Sequence, residues 1–203
     1  MLFELLMNRM NRILLVLLAL CWTAAGLAET GASDRFPSPD GHFALRIGAD
    51  LTVQLIQQSS GKTMLDLGTL FSRYLSHPEE TVLVWSADSK WAAYATRGDR
   101  AGDTSIYFWN GSVFEEIPLP DDLPGPEIKF RKEAGGGVKN YGGAVKPLRW
   151  LKSGELELSS DSMMLSREDG RTYTGVVVIT LAFDSQHHAS VRKVGKTKTH
   201  VDE

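Results

Sequence analysis

Cysteine is nearly missing from this chain. Cys21 is the only one among 203 residues, and it falls within an N-terminal apolar run. Everything after that run must therefore be held together by packing, without disulfides, thiolate-bound zinc or a cysteine nucleophile. Excess positive charge is missing too, with 22 Lys and Arg against 25 Asp and Glu. Setting aside Glu4, Arg9 and Arg12 at the N-terminus leaves 20 against 24. Phosphate backbones demand a basic surface, so nucleic acid is not an expected partner. No polybasic patch is present for anionic lipid. Nor is there an apolar run of the roughly 20 residues that a spanning helix needs.

Recognisable catalytic and metal spacings are also lacking. The five histidines are His42, His77, His187, His188 and His200, and none sits in a metal-binding His-Glu pattern. His187 and His188 are neighbours in an expected turn, where they read as solvated side chains. No Gly-x-Ser-x-Gly elbow occurs. Glycines crowd residues 134–144, but the Gly-Lys-Ser/Thr ending of a phosphate loop is not there. Asp99 and Asp103 flank a loop without the Asp-x-Asp-x-Asp-Gly series that calcium would need. No metal and no cofactor are expected.

What is present begins with an export signal. Arg9 and Arg12 precede the apolar stretch Ile13 to Trp22, and small residues follow up to Ala28. This is the layout of a cleavable signal peptide over residues 1–28, with cleavage after Ala28 and a periplasmic or secreted destination. An uncleaved N-terminal anchor is the alternative. Leu18-Ala19-Leu20-Cys21 is similar to a lipobox, but Leu20 stands where a small residue is required. A disordered lead over residues 29–35, a β-rich domain over 36–194 and a frayed polar tail over 195–203 complete the expected organisation.

The domain reads as strands cut by turn signals. Phe43 to Ile47, Leu51 to Gln57 and Thr63 to Leu67 are short strands, the last two joined at Ser60-Gly61. Asn110-Gly111 divides Ser105 to Ile117 into a hairpin, with the dipeptide suited to a type I′ turn. Asp169-Gly170 turns a third hairpin into the apolar strand Tyr173 to Phe183. Leu67, Leu70, Phe71, Tyr74 and Leu75 recur at helical spacing up to Pro78 and predict a short helix. The proline-rich residues 118–126 predict an extended loop. Several strands, such as Trp91 to Ala95 and Ile106 to Trp109, do not alternate, which places apolar cover on both faces. The tryptophans at 85, 91, 109 and 150 belong to that core, with an aromatic binding groove as the other reading.

Three segments share a layout. Ser38-Pro39-Asp40-Gly41 precedes one strand, Trp85-Ser86-Ala87-Asp88-Ser89-Lys90 a second, and Trp150-Leu151-Lys152-Ser153-Gly154 a third. The first two starts lie 48 residues apart and the third follows about 65 later. In such a turn proline presets φ, aspartate bonds back to the turn amides and glycine takes the positive φ. The pattern resembles the blade repeat of TolB-type and related WD-repeat-like β-propellers, matching fully at the first copy and partially at the others. The resemblance implies an all-β, mainly antiparallel fold of about three blades, as an open partial propeller or as one completed by a second chain. Closed propellers carry four or more blades.

Function is then expected to be non-enzymatic binding or scaffolding with a protein or peptide partner, from loops on a rigid frame. Lys139, Asn140 and Tyr141, within the glycine-rich stretch, are the candidate partner-contact loop. An exported hydrolase using paired carboxylates among Asp40, Asp88, Asp99 and Asp103 is one alternative. A small inhibitor or immunity-type protein is the other.

Overall fold

The computed structural model describes residues 33–70, 81–96, 101–129 and 137–202. The export segment with its Ala28 site, and residues 71–78 of the expected helix, lie outside them. The described part is all-β, and no helix is found among the described residues.

Three antiparallel meanders follow one another along the chain. The first sheet holds β1 (Ser33–Arg35), β2 (Phe43–Ile47), β3 (Thr52–Gln57) and β4 (Thr63–Thr69) in that order. The second runs β5 (Thr81–Trp85), β6 (Trp91–Thr96), β8 (Thr104–Trp109) and β9 (Phe114–Ile117). The third is built on β10 (Val138–Trp150), β11 (Leu156–Ser166), β12 (Thr172–Phe183) and β13 (Ala189–Val194). It also takes β14 (Lys198–Asp202) beside β12 and the short β7 (Ala101–Gly102) in parallel beside β10.

The second sheet lies between two cores, which explains its unbroken apolar strands. On β6, Ala92 and Tyr94 enter the core shared with Leu45, Val53 and Leu55 of the first sheet. Their neighbours Trp91 and Ala93 enter the core shared with Leu156, Leu158, Ile179 and Leu181 of the third. Successive residues of a strand point to opposite faces, so a strand covered on both sides has no polar face to show. Each fully buried Leu or Ile contributes about 1.5–3 kcal/mol to folding. Burial also pushes the Tyr94 and Tyr107 phenols up from their ordinary value.

Four local expectations change in the structure. Residues 67–69, expected as the start of a helix, are the end of β4, because the pairing of Asp66 with Gln54 and of Thr69 with Thr52 of β3 outweighs their spacing. The lead is ordered at its end, where Ser33, Asp34 and Arg35 pair with β2 and Asp34 bonds the Arg46 guanidinium. The tail is not frayed, since Lys198–Asp202 pairs with β12. Asn110-Gly111 lies in a four-residue turn rather than a two-residue type I′ one. Trp109 pairs with Phe114 across it, Gly111 has φ +99°, and Asn110 N–H donates to the Val113 carbonyl at 3.2 Å. Residues 118–126 have no strand pairing, as expected, with a turn at Asp121-Asp122, and the unpaired stretch runs on to residue 129. They lie over the third sheet, where Gly175 makes room: a Cβ on it would stand 2.5 Å from Ile128 Cγ1.

Candidate functional site

The Ser-Pro-Asp-Gly turn and its imperfect copy share one network. Ser38 N–H donates to Phe43 O at 2.8 Å and Gly41 N–H to Ser38 O at 2.9 Å. Ser38 Oγ donates to Asp40 Oδ1 at 2.6 Å while accepting from Phe43 N–H at 2.9 Å. In the copy, Ser86 N–H donates to Trp91 O and Ser89 N–H to Ser86 O, each at 3.0 Å. Ser86 Oγ likewise donates to Asp88 Oδ1 at 2.5 Å and accepts from Trp91 N–H at 3.0 Å. Gly41 (φ +71°) and Ser89 (φ +60°) take the left-handed position. A serine there strains the backbone by ~1–3 kcal/mol. It has an offsetting role: Ser89 Oγ accepts Asp40 N–H from the neighbouring turn at 3.0 Å.

The third turn keeps the inner backbone bond, closes one residue sooner and drops the Ser-Asp side-chain pair. Leu151 N–H donates to Glu155 O at 2.8 Å, Gly154 N–H to Leu151 O at 3.0 Å, and Gly154 has φ +83°. Tryptophans join the sheets in the same way at both junctions. Trp85 Nε1–H donates to Phe36 O at 2.8 Å, and Trp150 Nε1–H to Val84 O at 3.2 Å. Each tryptophan stands one residue before its own turn, and each acceptor two residues before the previous turn. The ring at the strand start of the earlier sheet packs on the same indole. Phe43 lies 6.1 Å from Trp85, and Trp91 lies 5.6 Å from Trp150. Such aromatic pairs add about 0.5–1.5 kcal/mol each. The tryptophans are structural members of the stack.

Two of the four carboxylates considered for hydrolysis, Asp40 and Asp88, are used by these turns. Partial burial works to raise Asp40, but bonds from Ser38 Oγ and His42 N–H and the nearby His42 ring outweigh it, so its carboxyl sits below the ordinary value. A general acid needs the opposite shift. Asp88 accepts from Ser86 Oγ and Lys90 N–H, Asp103 is exposed, and Asp99 lies outside the described residues. His187 is not simply solvated. Its ring packs 3.7 Å from the Phe108 ring and 5.2 Å from that of Trp91. His188 faces Asp184, so the two rings diverge. Among the described residues no group of three or more His, Cys, Asp or Glu could hold a metal.

Lys139, Asn140 and Tyr141 are not in a loop. They lie on β10, where Lys139 pairs with Leu165 and Asn140 with Met164 of β11. The ladder slips between Asn140 and Gly142, making Tyr141 the residue of a β-bulge. Asn140 Oδ1 steadies the bulge by accepting Gly142 N–H at 2.9 Å. Val138 and Tyr141 are 43% and 42% exposed on this end of the sheet. The composition pointed to a glycine loop, but β11 supplies partners for the backbone and bulges accommodate glycine.

A concavity in the third sheet was not legible in the sequence. β13 and β14 lie along the same strand, β12, with Gly195 to Thr197 between them. Thr197 Oγ1 accepts Glu127 N–H at 2.9 Å and ties the proline-rich segment to this interruption. Between them lies a cleft of about 420 Å³, walled by Pro124, Glu127 and Lys129 on one side and Lys196 and Thr197 on the other, with Val177 in its lining. That is the size range of small-molecule sites. Gly195 and the Pro124-Gly125-Pro126 run were its only sequence signals.

Acid should weaken the far turn of the third sheet. The Tyr173 hydroxyl donates to Asp169 Oδ2 at 2.7 Å. With the Arg171 amide, this outweighs desolvation and takes Asp169 from 3.8 to about 2. A lowered folded-state value stabilises above the unfolded value and is lost as pH falls through the folded one. Melting temperature should therefore drop between roughly pH 4 and pH 2. Asp169→Asn should flatten that acid limb, as measured by circular dichroism melts. An unchanged limb would remove Asp169 from the account.

No known protein family and no curated protein matches this chain.

Proposed function

We propose that this chain is an exported, periplasmic or secreted, non-enzymatic binding or scaffold protein, built as an open stack of three propeller-type blades. The blade reading is supported by the shared turn network and by the same tryptophan-to-carbonyl bond at both junctions. The outer face of the third sheet carries Lys146, Arg149, Glu157 and Lys193 around a half-exposed Val178, with Arg149 paired to Glu157 at 2.8 Å. A face on which charged residues outnumber apolar ones suits the end of a stack of repeats. It favours an open end over a ring completed by a second chain.

The binding reading rests on one observation. Strands β10, β11 and β12 run 13, 11 and 12 residues, against 4 to 6 in the second sheet. The longer strands carry Val138, Lys139, Asn140 and Tyr141 on an exposed, bulged end. A solvent-facing aromatic and a valine on a rigid ribbon form a contact surface for a protein or peptide. Placing a photo-cross-linking phenylalanine analogue at Tyr141, and at the rim residue Ser112 as control, tests this in periplasmic extract. A discrete adduct is expected from position 141 alone. Identical patterns from both positions would overturn the assignment.

A further inference from the structure

The hairpin tip Asn110-Gly111 is organised for chemistry on itself. Residues 110–113 are exposed. Asn110 Oδ1 accepts two backbone N–H groups, from Ser112 and Val113, each at 2.9 Å. Its Nδ2 donates to the Glu115 carboxylate. The next residue, Gly111, has no side chain to shield its nitrogen, and a Cβ there would meet nothing within 4 Å.

We propose that Asn110 is a self-modification site, converting through a succinimide to aspartate and isoaspartate. The Gly111 nitrogen attacks Asn110 Cγ, forming an N–Cγ bond. The Cγ–Nδ2 bond breaks, and the Gly111 amide proton leaves with Nδ2 as ammonia. One water then adds to either imide carbonyl and opens the ring. Nothing is oxidised or reduced. Negative charge develops on Oδ1 during the attack, where the Ser112 and Val113 amides already point, as donors do in an oxyanion hole. Glu115 stands at the leaving nitrogen, where it can take a proton and return it. Holding the two reacting groups in one tight turn supplies the proximity.

The product adds a negative charge beside Glu115. In the isoaspartate form the main chain also lengthens by one methylene, between the paired residues Trp109 and Phe114. The rim hairpin is the element that would loosen.

The chain contains its own comparison. Asn140 is also exposed and its Oδ1 also accepts an amide, from Gly142 at 2.9 Å. Among the described residues its Oδ1 accepts that one bond, and Tyr141 follows it with a side chain that hinders attack. The purified full chain is aged at mildly alkaline pH and mapped by peptide mass, with isoaspartate detected enzymatically. Asn110 should gain one mass unit about tenfold faster than Asn140. Asn110→Gln, which would need a larger ring, should abolish the conversion, and Glu115→Gln should slow it. Equal rates at Asn110 and Asn140 would overturn the site. A Glu115→Gln chain converting at the unaltered rate would overturn the role given to the carboxylate.

Discussion

Trp85→Ala should lower the unfolding free energy by about 3 kcal/mol, and Trp85→Phe by about 1 kcal/mol. The first change empties the space beside the Phe43–Phe114 ring pair, both rings of which lie 6.1 Å from the indole. The second keeps a ring in place and removes only the N–H that serves Phe36 O. That carbonyl is partly buried, so losing its donor leaves it short of a partner. Phe36 also has φ +51°, a backbone position that needs outside support. Trp150→Phe repeats the test at the second junction, where the bond is longer at 3.2 Å, and a smaller loss is expected. Urea unfolding reads these as falls in midpoint at constant slope. A neutral Trp85→Phe would mean that the indole N–H does not join the sheets.

Gly143→Ala should be similarly damaging, by about 2 kcal/mol or more. Gly143 sits where β10 approaches β11 closely, and an added Cβ would lie 2.5 Å from Asp161 O and 3.3 Å from Ser162 Cα. Both are backbone atoms, so relief requires moving a strand rather than turning a side chain. The neighbouring Ala144 N–H donates to the Asp161 carboxylate at 3.0 Å, and any such shift strains that bond. Gly125→Ala is the matched control, since its Cβ would meet nothing within 4 Å; a change within about 0.5 kcal/mol is expected there. Thermal melts of the two variants side by side decide the matter. Equal stabilities would show that the third sheet tolerates a wider spacing at its bulge.

Features closed within a few residues could be read in advance. Ser38 reaches Asp40 and Phe43, and Ser86 reaches Asp88 and Trp91, so both turns were visible as short motifs. Asn110-Gly111 located its hairpin but misled about the turn type, because the pairing of Trp109 with Phe114 sets the loop length. Residues 67–69 and 139–141 misled for a related reason. Their composition described a helix start and a loop, while β3 and β11 offered ladders that satisfied their backbone. The cleft beside Lys196 was invisible because Glu127 and Thr197 meet across 70 residues of chain.

Sequence alone determined that the described region is β-rich, that cysteine plays no part in it, and where its sharpest turns fall. These follow from composition and from hydrogen bonds that open and close inside one turn. Tertiary structure decided that the middle sheet is sheathed by the other two, that Ser89 serves the turn of Asp40, and that Tyr141 stands on a bulged strand. Those outcomes depend on which backbone groups find partners tens of residues away, and the free energy of such pairing belongs to no single segment.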